Sequence, residues 1–362
     1  MTGPCIAYVR VEDREYPRNA LLRAALSERF PVRTVLRERE GTVAVRYVRD
    51  VLATWRATRG AAVVVVAEFS LPFVPIAWCI ARARRARLVV DAFVGRHETV
   101  IGDWASSGAR SPRSVFARFV DRAAVRLADL ALIDTEVRAA QLRASYRLCT
   151  SRVVAVPVGA PAWATCASEG VGSRSDAPLQ VLYYGWYIPL HGVPTIVRAL
   201  AATTTDVELT LVGEAGHDGG VSDTRALARR LGVGARCRFV DTAVAPEELA
   251  EMAARADVVL GVFGGSAKAA GVVPNKVWQG LAMGRVVVTR QTPALTALAA
   301  AVPEGQLVTV PPEDPGALAR ALDSLARSPR RAFPETRGLV DEIVDRDVRH
   351  FVAAVESLAG RR

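Results

Sequence analysis

One local pattern recurs along the chain: a short, unbroken run of apolar residues, a loop carrying glycine or proline, then residues at helical spacing. Residues 63–66, 258–262 and 286–289 are such runs, and valine dominates them. Runs this short, with no polar alternation, fit strands buried on both faces, as in a parallel sheet covered by helices. In the N-terminal half strands are expected at 5–9, 32–36, 62–67, 87–91, 130–134 and 152–156. Helices are expected between them, notably at 18–29, 72–83, 112–128 and 136–145. The alternation predicts a doubly wound α/β domain. At 362 residues the chain is long enough for two such domains. Residues 161–178, rich in Ala, Ser and Gly, read as the linker between a domain at 1–160 and another at 179–334. Residues 335–362 follow as a terminal helix.

Of the 47 basic residues only Lys268 and Lys276 are lysine, and they lie eight positions apart behind the run 258–262. Arginine serves wherever charge alone is needed. The two exceptions suggest a place where a compact ammonium must approach a phosphate oxygen as a point charge. Gly264, Gly265 and Gly271 lie around Lys268 and let backbone come close to a ligand. Pro274 suits a first helical turn, and Val277, Leu281 and Ala282 carry helical spacing up to Gly284. A helix N-terminus offers unpaired N–H groups and a positive dipole end, a natural anion site. The plain alternative is a surface loop with two solvated lysines.

Apolar content of 51% with 23% charged residues is ordinary for a globular protein. The net charge of +10 is compatible with nucleic acid, anionic membrane or acidic substrates as partners. With 6% aromatic residues and no Cys/His finger spacing, no nucleic-acid module is expected. Arg82, Arg84, Arg85 and Arg87 form the densest basic patch, read as a solvated helix end or a contact with anionic lipid headgroups. Five scattered cysteines read as reduced thiols of a cytoplasmic protein, and four unpaired histidines give no reason to expect a metal. The apolar stretch 61–81 is interrupted by Glu68, Ser70, Pro72 and Pro75, so no membrane span is expected.

The segment 272–288, with Pro274, Asn275, Lys276, Gln279 and Gly284 before a valine-rich strand, resembles the donor-binding segment of glycosyltransferase family 4, the group-1 glycosyltransferases. The block 184–193, with Gly185, Trp186 and His191, resembles the strand and loop that open that family's C-terminal domain. The strand ending in Gly213 and Glu214, the stretch 237–241 around Val240, and Pro311-Pro312-Glu313-Asp314-Pro315 follow in the family's order. The resemblance implies a GT-B fold, two Rossmann-like domains facing across a cleft. The first would bind acceptor and the second a UDP-, GDP- or dTDP-sugar, with the terminal helix packing back on the first. No cofactor is expected beyond the nucleotide-sugar co-substrate, and no metal. The acceptor is open, a small molecule or a lipid-linked sugar, with secondary metabolism or envelope glycan biosynthesis as the setting.

On these matches Lys276 and Lys268 are expected to act on the diphosphate. Gly185, His191, Gly213, Glu214, Val240, Gly264, Gly265, Pro274, Asn275 and Gln279 would line the donor site. The family's two glutamates, separated by seven residues, are here Gly271 and Gln279, and the glutamine amide is expected on the ribose hydroxyls. The usual Arg and Lys after the first C-domain strand are missing, with Trp186 and His191 near their places. From the first domain, Arg18 and Asn19 are expected to face the cleft, Arg18 as a replacement cation. The loop after the fourth strand gathers Asp91, Arg96, His97 and Glu98, and Asp103 with Trp104 is expected in an acceptor-side lid. The resemblance implies retention of anomeric configuration, the leaving phosphate itself taking the acceptor's proton. An inverting enzyme would need a base, with Asp91, His97 or Glu98 as candidates. A catalytically silent GT-B partner, a GT-B epimerase and a basic nucleic-acid binder are the competing classes.

Overall fold

Two six-stranded parallel sheets, each flanked by helices, form separate units in the computed structural model, which describes residues 4–98, 111–166, 177–214 and 220–360. The first unit takes the described residues up to Val158 together with those from Ile343, and the second takes Gly159–Glu342. Asp103 and Trp104 lie outside the described residues.

The first sheet contains β1 (Cys5–Val11), β2 (Val32–Leu36), β3 (Ala61–Val66), β4 (Arg87–Asp91), β5 (Leu130–Ile133) and β6 (Val153–Ala155). Their order is β2-β1-β3-β4-β5-β6, so the winding reverses between β1 and β3. All residues of β1, β3 and β5 are buried, as a strand covered on both faces requires. The second sheet contains β7 (Leu179–Tyr184), β8 (Val207–Val212), β9 (Cys237–Val240), β10 (Val258–Leu260), β11 (Val286–Arg290) and β12 (Leu307–Val310). Its order is β12-β11-β10-β7-β8-β9, reversing between β7 and β10. The second unit thus has the dinucleotide-fold order 3-2-1-4-5-6, while the first has the flavodoxin-like order that starts 2-1-3. Both are doubly wound, but they are not copies of one topology.

Local chemistry starts the helices. Ser111, Thr135 and Asp314 accept backbone N–H groups from residues three ahead, and Pro112, Pro246 and Pro315 occupy first turns. The helix Thr336–Gly360 buries Val340, Val344, Val348, Phe351 and Val355, a stripe at helical spacing.

The helix Val43–Ala57, not singled out in the sequence, is turned the unusual way round. It buries Asp50 and Thr54 and exposes Val43, Val48, Leu52 and Trp55. Asp50 goes inward because it pairs with Arg10 and accepts the Glu38 N–H at 2.9 Å. In the basic patch, Arg82 and Arg87 both reach Asp129, at 3.2 and 3.3 Å, and Arg84 lies over the Trp55 ring at 3.8 Å. Much of that patch is therefore held by the protein itself. No helix among the described residues is long and apolar enough to cross a membrane.

Candidate functional site

In open α/β sheets a ligand sits outside the carboxyl ends of the strands, where the strand order reverses. In the second unit that place lies between β7 and β10, which pair Val258 with Val181. Two loops leave it and lace together. Phe263 N–H donates to His191 O at 3.0 Å, and Gly264 N–H to Leu190 O at 3.2 Å. Any side chain on Gly264 would collide with the Pro189 and Leu190 carbonyls. Gly185 has φ +127°, and a Cβ there would stand 3.0 Å from Lys276 Nζ. Gly185, His191, Gly264 and Lys276 are thus brought to one point.

Lys276 sits in the first turn of the helix Asn275–Ala282, just behind Pro274, and is buried. Its Nζ lies 5.2 Å from the centre of the Tyr183 ring, and no carboxylate is within ion-pair distance among the described residues. Burial pulls its pKa down to about 7. Lys268 is half-buried on a short helix, Ala267–Gly271, started by Ser266 accepting the Ala269 N–H at 3.2 Å. The expected open loop around Lys268 is therefore partly helical, because Ser266 supplies a cap.

His191 is pushed well below the usual imidazole range by burial and by the Lys276 charge. Its Nδ1 lies 2.5 Å from Trp186 O, which also accepts the Tyr183 hydroxyl at 2.8 Å. A neutral ring with its proton on Nδ1 fits this pattern and leaves Nε2 as an acceptor. Gln279 is buried, and its Oε1 accepts the Tyr184 hydroxyl at 2.7 Å. Its Nε2 hydrogens and the second lone pair of Oε1 are left to serve a ligand such as a ribose diol.

The other expected donor residues are placed as follows. Gly213 N–H donates to Val240 O at 3.0 Å, tying the ends of β8 and β9, and Glu214 is exposed beyond β8. Gly265 N–H donates to Glu313 Oε1 at 3.2 Å, and Arg290 donates to Gly264 O. Glu313 and Arg290 were not picked out as site residues. The left-handed φ of +54° at Glu313 follows two prolines, a signal the sequence did carry.

In the first unit the expected cleft groups turn inward. Arg18 is fully buried and donates Nε–H to Asp91 Oδ2 at 2.7 Å. Its other nitrogens donate to Val156 O at 2.5 Å and Ile133 O at 3.2 Å. Arg18 is thus no spare cation and Asp91 no free base; each neutralises the other, and both side chains are fully buried. Asn19 is also buried, donating to Glu68 Oε1 at 2.6 Å and to Asp13 O at 2.8 Å.

Glu68, at the carboxyl end of β3, is raised to a pKa of about 7 by burial and by the nearby Asp91 charge. Its usual value is 4.5, so the folded state holds the proton more tightly than the unfolded chain. Stability from this group is full below about pH 4.5 and lost as pH rises through about 7. Glu68→Gln should remove that loss, worth up to about 3 kcal/mol. Urea midpoints at pH 5 and pH 8 test it; an equal drop in both proteins would place the titration elsewhere.

Arg96, His97 and Glu98 form a short helix whose first two N–H groups donate to Asp121, from Arg96 at 2.9 Å and His97 at 2.8 Å. The Glu98 side chain lies outside the described residues. His97 lines a cavity of about 540 Å³ at the carboxyl ends of β4 and β5. Among the described residues no group of three or more His, Cys, Asp or Glu is placed to hold a metal ion.

Residues 178–328 match the family described as Glycosyl transferases group 1. Among curated proteins none matches. Several solved structures share the fold over nearly the whole chain. Sucrose-phosphate synthase from Thermosynechococcus elongatus is 16% identical with a TM-score of 0.73, covering 99% of this chain and 100% of its own. HepE from Anabaena, solved with UDP and glucose, is 14% identical with a TM-score of 0.70, covering 98% and 100%. The lipopolysaccharide outer core galactosyltransferase WaaB is 13% identical with a TM-score of 0.66, covering 98% and 99%. Residues 178–328 thus match a group 1 glycosyltransferase domain, and the chain as a whole has the GT-B fold of these structures.

Proposed function

We propose that the protein moves a sugar from a nucleoside-diphosphate sugar to an acceptor hydroxyl with retention of anomeric configuration. The observation that carries this reading is Lys276, a buried ammonium with no carboxylate partner among the described residues, in a first helical turn at the reversal between β7 and β10. A buried unpaired cation is costly, and an arriving anion would offset that cost. The donor's diphosphate is such an anion. In the proposed step the bond from the sugar's C1 to the diphosphate oxygen breaks and the acceptor oxygen bonds to C1 on the same face. The acceptor's proton passes to the departing phosphate oxygen, so no protein base is required. Lys276, the helix N-terminus behind it and Lys268 would stabilise the charge that grows on the leaving group. His191 Nε2 would accept from a donor hydroxyl, and Gln279 Nε2 would donate to a ribose oxygen.

HepE was solved with UDP and with UDP-glucose, which makes uridine donors the first to try. Thermal-shift screening with UDP, GDP, dTDP and their sugars is expected to show one stabilising nucleotide. The anomeric coupling in the product's NMR spectrum then reads the stereochemistry. An inverted product would sink retention, and a chain stabilised by no nucleotide would be a silent partner. Gln279→Ala is expected to weaken nucleotide binding by about 1–3 kcal/mol, and Gln279→Glu to be tolerated. Calorimetric titration showing unchanged affinity in the alanine variant would leave Gln279 only its bond to Tyr184.

A further inference from the structure

The cavity of about 540 Å³ in the first unit is walled by groups that want an anion. Arg118 and Arg122 stand on successive turns of the helix Pro112–Leu127, both exposed, and neither is within ion-pair distance of a carboxylate among the described residues. A guanidinium can only donate, so the 3.3 Å contact between Arg118 and His97 Nε2 makes the imidazole the acceptor. That contact holds Arg118 along the cavity wall. The third guanidinium, Arg138, is buried and balanced by Asp134 at 2.6 Å, while also donating to Phe93 O at 2.9 Å. The lining's carboxylate, Asp121, is occupied by the Arg96 and His97 N–H groups. With Arg138 balanced by Asp134 and Asp121 counted as a full negative charge, Arg118 and Arg122 leave the cavity a net charge of about +1.

We propose that this cavity holds a phosphate group carried by the acceptor, so the acceptor class is a phosphorylated hydroxyl compound. This rests on the transferase reading above. The lining comes from two helices, with the cations Arg118 and Arg122 on one wall and, on Glu136–Tyr146, Arg138 already paired with Asp134 and Ser145 adding a hydroxyl. A tetrahedral phosphate presents oxygens in several directions at once, whereas a planar carboxylate engages one fork. The volume is far larger than an inorganic anion needs, leaving room for the body that carries the hydroxyl. The cavity lies at the carboxyl ends of β4 and β5, the edge of an open α/β sheet that takes ligands, and not at the reversal between β1 and β3.

The test titrates sn-glycerol 3-phosphate, and glycerol as control, into the full chain saturated with UDP. Saturable binding of the phosphate ester alone is expected. It should weaken at least tenfold in an Arg118→Gln/Arg122→Gln double variant and stay unchanged in Arg113→Gln, an exposed arginine of the same helix outside the lining. Flotation with phosphatidylcholine vesicles, with and without phosphatidate, forms a second arm. Binding of the soluble ester places the phosphate on a free metabolite. Phosphatidate binding alone, lost in the double variant but kept in Arg113→Gln, places it on a lipid. Binding in neither arm, binding that survives the double variant, or equal loss in Arg113→Gln overturns the proposal. UDP binding is read in the same samples. Its absence sinks the donor reading, while the phosphate result still turns on Arg118 and Arg122.

Discussion

Lys276→Ala is expected to weaken nucleotide-sugar binding about 10–100-fold while leaving the empty protein as stable as before or more so. The two effects have opposite signs because the ammonium is buried without a carboxylate partner among the described residues. Empty, it costs desolvation; with a diphosphate present, it gains a charge-assisted bond. Its pKa of about 7 adds a pH signature. A bound diphosphate would raise that pKa, so affinity for a nucleotide sugar should be highest below pH 7 and fall up to about tenfold per unit above it. The fall should vanish in Lys276→Ala. Lys276→Arg should not restore affinity, since a planar fork cannot replace a point charge beneath Gly185. Calorimetry across pH 6 to 9 decides the matter, and a flat wild-type profile would remove Lys276 from the diphosphate.

Breaking the Arg18–Asp91 pair should cost about 3–5 kcal/mol, through stability rather than chemistry. Both side chains are fully buried, and Arg18 also serves the carbonyls of Ile133 and Val156. Burial works against its charge, but Asp91 outweighs burial and raises its pKa. Arg18→Met leaves Asp91 charged beside Glu68 with nothing to offset it. Arg18→Met/Asp91→Leu should recover most of the loss, since it removes both charges. Hydrogen exchange of amides in β1, β4 and β5 reads the change where it arises. Unchanged protection in the single variant would mean that the pair contributes little.

The strands were legible because burial on both faces leaves an unbroken apolar run, as in β3 and β11. The lysines stood out because arginine takes every other basic position. That same bias hid Arg118 and Arg122, two arginines among many on a helix of ordinary composition. Arg18 and Asp91 lie 73 positions apart, and only the sheet brings them together. A sequence shows that both are charged, not that each is the other's only suitable neighbour. The bond from Tyr184 to the Gln279 carbonyl was hidden in the same way, since the two lie 95 positions apart. The helix Val43–Ala57 escaped notice for a related reason. Its inward face is chosen by the partners of Asp50, not by its apolar residues.

The first unit is closed by residues from Ile343 onward, although its sheet ends at β6. On a ribosome the strands β1–β6 therefore emerge long before the helix face bearing Val344, Val348, Phe351 and Val355. At about 5–20 residues per second that delay is on the order of 10–40 s. The second unit, continuous in the chain, can finish first despite being made later. During the wait the incomplete first unit offers apolar surface to chaperones or to other nascent chains.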